Sequence, residues 1–272
     1  KINGGINVNQ IGYFSSDSLS SRDPYNLYIA GNLNVSMYGW NVPLTFSYSN
    51  QKTTYTQPFN QYSMHPYYKW IKLHIGYTSM SFSPYTLNGH LFLGAGVELT
   101  PEIPITFSAM YGRLKKPIEY DSTLATPLPP EYERWGYGMK AGTRFKLTDL
   151  ANVNLAVTAF HAADKANSLN YLPDSTVHPA ENFVLSTNID IAIAGHFNFS
   201  TEMASSMITR NTASAFTDEG TNRWVRFMNT TYGANATSSQ YSATKMNFSY
   251  NSDIYNIGLG YERIDPGYET FG

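Results

Sequence analysis

Apolar residues recur at every second position in segment after segment of this 272-residue chain, and no stretch of useful length shows helical spacing. Ile2, Ile6 and Val8 alternate with Asn3, Asn7 and Asn9, and Leu27, Ile29, Leu33, Val35 and Met37 alternate with Asn26, Asn32, Asn34 and Ser36. After Tyr38-Gly39 the pattern restarts with Trp40, Val42, Leu44, Phe46 and Tyr48, which reads as a hairpin. Further alternating segments begin near Ile71, Leu87, Ile103, Trp135, Val153, Phe183, Phe197, Met246 and Tyr255. The expectation is an all-β antiparallel fold of about twelve strands, each near the length a tilted membrane strand needs. The longest apolar runs fall short of the roughly 18 residues of a membrane helix, so helical spans are excluded.

A period of two leaves open which face meets which solvent, because a soluble sandwich buries its apolar face and a membrane barrel exposes it. The polar face separates the two. Only 14% of the residues are charged, against roughly 25% in an ordinary soluble domain. Over the first half the polar positions are Asn, Ser, Thr, Gly and His, with Lys72 and Glu98 as the main charged exceptions. Soluble strands usually carry Lys and Glu there, which also protect edges from aggregation. Aromatic residues gather at strand ends: Tyr38 and Trp40, then Tyr67, Tyr68 and Trp70, then Trp135 and Tyr137. Such positions fit the aromatic girdles at membrane interfaces. The reading is therefore an antiparallel transmembrane β-barrel, one domain or segment of one over 1–272, in the outer membrane of a Gram-negative cell.

Short turns near 38–40, 100–102, 148–151, 194–196 and 251–253 interleave with long polar stretches at 14–25, 50–69, 113–131, 162–181 and 205–240. This is the habit of outer-membrane barrels. Between Ser49 and Leu87 the parity fails, so either a short strand hides within 50–69 or one segment leaves the wall for the lumen. Lys1 starts inside an alternating segment, and Phe271-Gly272 completes no further strand. A barrel of this pattern is thus expected to be completed by more chain or a second segment, because an open edge in lipid leaves backbone groups unpaired.

Ser81-Phe82-Ser83-Pro84-Tyr85-Thr86-Leu87-Asn88-Gly89-His90 and the following Phe92-Leu93-Gly94-Ala95-Gly96-Val97-Glu98-Leu99 resemble large outer-membrane β-barrel proteins of Bacteroidota. Ala109-Met110-Tyr111-Gly112-Arg113-Leu114 and Tyr261-Glu262-Arg263-Ile264-Asp265-Pro266-Gly267-Tyr268 resemble the same group. The resemblance implies location and fold, and supplies no catalytic or binding residue.

Chemistry is sparse. There is no Cys, which removes disulfides and thiolate sites. His74, His90 and His196 lack a Ser at the matching strand position for a hydrolase. The six His show no i, i+2 or i, i+4 pairing, so no metal, cofactor or catalytic set is expected. His161 with Asp164, or His178 with Glu181, is the best remaining loop pairing for a metal, and a third ligand is missing from both. A net charge of −2 offers nothing to a nucleic acid.

The later strands carry charges on the polar phase: Lys140, Arg144 and Lys146, then Asp190 and Glu202, then Lys245 and Glu262. Opposite charges inside a barrel either define a constriction or fill the interior with ion pairs. Arg210, Arg223, Trp224 and Arg226 make the 205–240 stretch the strongest partner-binding candidate, since Trp and Arg are common interface anchors. The leading functional reading is a non-enzymatic anchor or subunit of a cell-surface or export assembly, its lumen open to plugging. The alternatives are a porin-like channel for small solutes and a soluble glycan-binding domain. The expected partners are outer-membrane lipid or lipopolysaccharide and other outer-membrane or surface proteins.

Overall fold

In the computed structural model, residues 1–14, 24–50, 60–123, 128–170, 177–214 and 235–272 are described. They form one antiparallel sheet: β1 (Ile2–Gly12), β2 (Tyr25–Met37), β3 (Trp40–Ser49), β4 (Gln61–Met64), β5 (Tyr67–Tyr68), β6 (Ile71–Ser81), β7 (Asn88–Leu99), β8 (Ile105–Lys115), β9 (Arg134–Thr148), β10 (Ala151–Asp164), β11 (Glu181–Ile193), β12 (Phe197–Thr209), β13 (Ser238–Asn251) and β14 (Asn256–Ile264). Each strand pairs with its sequence neighbour, and β5 lies beside β4, between β3 and β6. Among the described residues β1 pairs only with β2 and β14 only with β13, so these two strands are the edges.

The sheet path has thirteen positions, one more than the alternation shows. The extra position is β4 with β5, inside the 50–69 stretch, so the hidden strand is realised, and the segment leaving the wall is realised as well, by 82–87. Pro66 splits it: proline has no N–H for the ladder, although its carbonyl still accepts from the Leu73 amide at 2.8 Å. With this position filled the parity closes. Every connection at one end is short, from 38–39 to 252–255, while the strand ends that flank 13–24, 50–60, 82–87, 116–133, 165–180 and 210–237 are at the other. Two of the short turns use the left-handed backbone: Tyr38-Gly39 (φ 52° and 83°) and Ala194-Gly195 (φ 53° and 72°). Positive φ at both central residues matches the strand twist and keeps such hairpins tight.

Leu87 is a correction to the strand pattern. It precedes β7 and lies in a short segment, 82–87, that turns off the wall and is fully buried at Leu87. Around it Phe82, Phe92, Leu114, Phe160, Val184, Ile208 and Phe271 pack into one apolar cluster. Phe92, Leu114, Phe160, Val184 and Ile208 come from β7, β8, β10, β11 and β12, so the sheet curls around the segment and has a concave and a convex face.

Candidate lumen and its internal plug

Register fixes which side chains share the concave face. Lys140 lies opposite Thr158, which lies opposite Ser186; Arg144 lies opposite Asn154, which lies opposite Asp190; Glu202 lies opposite Lys245, which lies opposite Glu262. Lys146, opposite Asn152, is in the same phase. All seven charges are therefore on one face, and six of them fall in two groups. Lys140, Arg144 and Asp190 line a cavity of about 690 Å³ at the short-turn end with Glu102, Asn154 and Asn188. Glu202, Lys245 and Glu262 are adjacent on β12, β13 and β14, where the Lys245 ammonium is 3.8 Å from Glu262. Lys146 belongs to neither group.

The convex face is the apolar phase. Ile105, Met139, Leu147, Ile257 and Leu259 are all more than half exposed on it. Trp40 stacks on Tyr68 at 5.2 Å near the short turns. Trp135 lies 5.3 Å from Tyr111, and Tyr137 lies 4.9 Å from His161, both near the long connections. Tyr38 and Trp70 are exposed at the turns. Tyr67 differs from this set: it lies opposite Asn41 and Lys72, in the concave phase.

Two segments fill the long-connection end of the concave space. The neck of 82–87 is closed by the Phe82 amide, which donates to the Leu87 carbonyl at 2.8 Å. The Lys140 ammonium donates to the Phe82 carbonyl at 2.5 Å, and the Tyr85 hydroxyl donates to Glu262 at 2.5 Å. Residues 265–272 lie against it. Tyr268 and Thr270 hydroxyls donate to the Tyr85 and Thr86 carbonyls, each at 2.6 Å. The Ser206 hydroxyl donates to the Glu269 carbonyl at 2.6 Å, and the Phe271 amide donates to the buried Asn182 Oδ1 at 3.1 Å. The Arg134 guanidinium lies 3.4 Å above the Phe271 ring while its Nε and Nη2 donate to Asp164 at 2.7 and 3.0 Å. Gly138 makes room for this packing, because a Cβ there would lie 2.7 Å from the Phe82 ring and 3.0 Å from Phe160. Burial, then the Glu262 carboxylate, pushes the Tyr85 phenol well above its ordinary range, and burial, then Glu202, does the same to Tyr268.

The strand pairing also joins groups that spacing in the chain keeps apart. The His65 and His74 Nδ1 atoms are 3.1 Å apart, and His74 Nε2 lies 2.6 Å from Glu98, which is 3.4 Å from Lys72. No such histidine pair is visible at i, i+2 or i, i+4, because it forms across the strand broken at Pro66. His161 meets Glu181 at 2.6 Å on the convex face, whereas Asp164 is held by Arg134, so the His161–Asp164 pairing does not form. Among the described residues no group of three or more acidic or His side chains is arranged to hold a metal. Arg210 pairs with Glu269 at 3.6 Å, which ties the root of the 205–240 stretch to the internal segment. Arg223, Trp224 and Arg226 lie outside the described residues.

No family model matches the chain, and no curated protein matches it. Among solved structures it is similar to OccK8 (OprE) of Pseudomonas aeruginosa, at 10% identity and a TM-score of 0.38, over 98% of this chain and 70% of that one. It is similar to OprD of the same organism at 8% identity and a TM-score of 0.30, over 97% of this chain and 88% of that one. A triple mutant of Rh. blastica porin follows at 10% identity and 0.30, over 96% and 94%. The all-β antiparallel architecture of this chain stands on its own strand pairing.

Proposed function

We propose that this chain forms a β-barrel wall in the Gram-negative outer membrane and carries small polar solutes through a lumen narrowed by 82–87 and 265–272. The observation that supports it is the inverted distribution of the two strand faces: apolar side chains stand exposed on the convex side, and charges line the concave side. An exposed apolar belt of this extent would drive a soluble protein to aggregate. In a bilayer the same belt meets acyl chains, the convex aromatics near both strand ends sit at the headgroups, and the ladder satisfies the backbone of the strands between the two edges, β1 and β14. Lipid is the partner of the convex face. The alternation of cations and carboxylates inside gives a permeating solute polar partners in place of its water shell.

Planar-bilayer conductance of the detergent-extracted protein, with the shift on heating in SDS as a check of folding, tests this reading. Steady current that changes its cation-to-anion preference when Lys140 and Arg144 are neutralised supports it. The close packing of Phe82, Leu87 and Phe271 favours a second reading, in which the barrel is sealed and serves as an anchor. A folded, detergent-dependent barrel that stays silent even when this packing is loosened would replace the channel with that role.

A further inference from the structure

The cavity beside the plug has walls of opposite character. Arg144 stands on β9, and Asp190 stands two strands away on β11, so their backbones are about 10 Å apart at ordinary strand spacing. The two are not ion-paired; the Arg144 Nε donates to Asn154 Oδ1 at 2.9 Å. On the plug side of Asp190, four buried oxygen atoms find no hydrogen-bond partner, Thr158 Oγ1, Ser186 Oγ, Asn188 Oδ1 and Glu202 Oε1, and of these residues Asn188 lines the cavity while the other three lie behind it. Pairing makes them neighbours, since Thr158 lies opposite Ser186 and Asn188 opposite Glu202. Thr158 and Ser186 are essentially inaccessible, and Glu202 is only 7% exposed.

An amide oxygen and a carboxylate oxygen can only accept, and leaving either buried and unpaired costs more than the hydrogen bond itself would contribute. The group that suits such a wall donates several hydrogen bonds and accepts none, which describes a primary ammonium. The facing guanidinium matches a carboxylate, with which it forms paired hydrogen bonds. Resting on the channel reading above, we propose that this cavity is a binding site for small zwitterions carrying a primary ammonium and a carboxylate, such as a short peptide. The ammonium is held by Asp190 and Asn188, and the carboxylate by Arg144. An extended dipeptide spans roughly 7 Å, which the two side-chain arms bring within the distance between the walls. The volume of about 690 Å³ lies within the ordinary range of ligand pockets.

Equilibrium dialysis of the detergent-solubilised chain against glycylglycine, N-acetylglycylglycine and glycylglycinamide tests the site without requiring permeation. The zwitterion should bind about tenfold or more tightly than either single-charge analogue. Asp190→Asn should abolish its advantage over the acetylated peptide, and Arg144→Gln its advantage over the amide, with the heat shift of both variants unchanged. Equal binding of all three, or none, would overturn the site and assign the four oxygens to water. Conductance without preferential binding leaves the channel and removes the site; preferential binding in a silent barrel keeps the site and removes the channel.

Discussion

Replacing Phe271 with Ala should release residues 265–272 from the concave space and loosen 82–87 with them. Phe271 is 7% exposed, packs in the apolar cluster and lies under the Arg134 guanidinium. A buried Phe→Ala change costs about 3–5 kcal/mol, a range that includes the lost cation–π contact of about 1 kcal/mol. The lower end applies here, because the Arg134–Asp164 pair keeps its two hydrogen bonds when the ring is removed. About 3 kcal/mol corresponds to somewhat more than a hundredfold rise in the population of the released state. The wall should persist, since its ladder does not involve Phe271. Hydrogen–deuterium exchange of the detergent-solubilised protein reads this out at the Phe82, Thr86 and Tyr268 amides, bonded within the plug, and at the Phe271 amide, bonded to Asn182 of β11. Their protection should fall by about two orders of magnitude while that of β9–β12 stays unchanged. Unchanged protection at all four amides would refute the view that Phe271 pins the plug. Equal loss across the wall strands would show that wall and plug unfold as one unit.

Gly138→Leu should expel Phe82, since the new side chain would occupy the place of its ring; accelerated exchange over 82–87 with a folded wall is the expected outcome. Asp265, just past β14, accepts from the Ser242 hydroxyl at 2.6 Å and, secondarily, from the Ser242 amide at 2.9 Å, and these hold its carboxyl below the ordinary 3.8. A depressed carboxyl stabilises the fold above its unfolded value and loses that contribution as pH falls through the folded one. The β13–β14 junction should therefore fray in acid below pH 3.8, and Ser242→Ala should move both the Asp265 titration, followed by NMR, and the fraying to higher pH.

The wall was legible in the chain because strand alternation is local: a period of two needs no knowledge of neighbours, and it carries the phase of Lys140, Arg144, Asp190 and Glu262 with it. The strand at Gln61–Met64 escaped it, since Pro66 cuts the run too short to display a period. Tertiary structure alone decided what fills the concave space. The failed parity between Ser49 and Leu87 left room for a segment in the lumen, but Phe82 and Leu87 follow an ordinary apolar pattern, and nothing near them says that they are that segment or that they meet Phe271, whose contacts lie across the curled sheet. The His65–His74 contact and the row of unpartnered oxygens on β10–β12 likewise arise from register between strands. Register is set by the whole set of pairings, whereas alternation is set residue by residue. The chain alone thus determined a sheet with two unlike faces, and only its curling around 82–87 and 265–272 decided where the lumen narrows and which charges share a cavity.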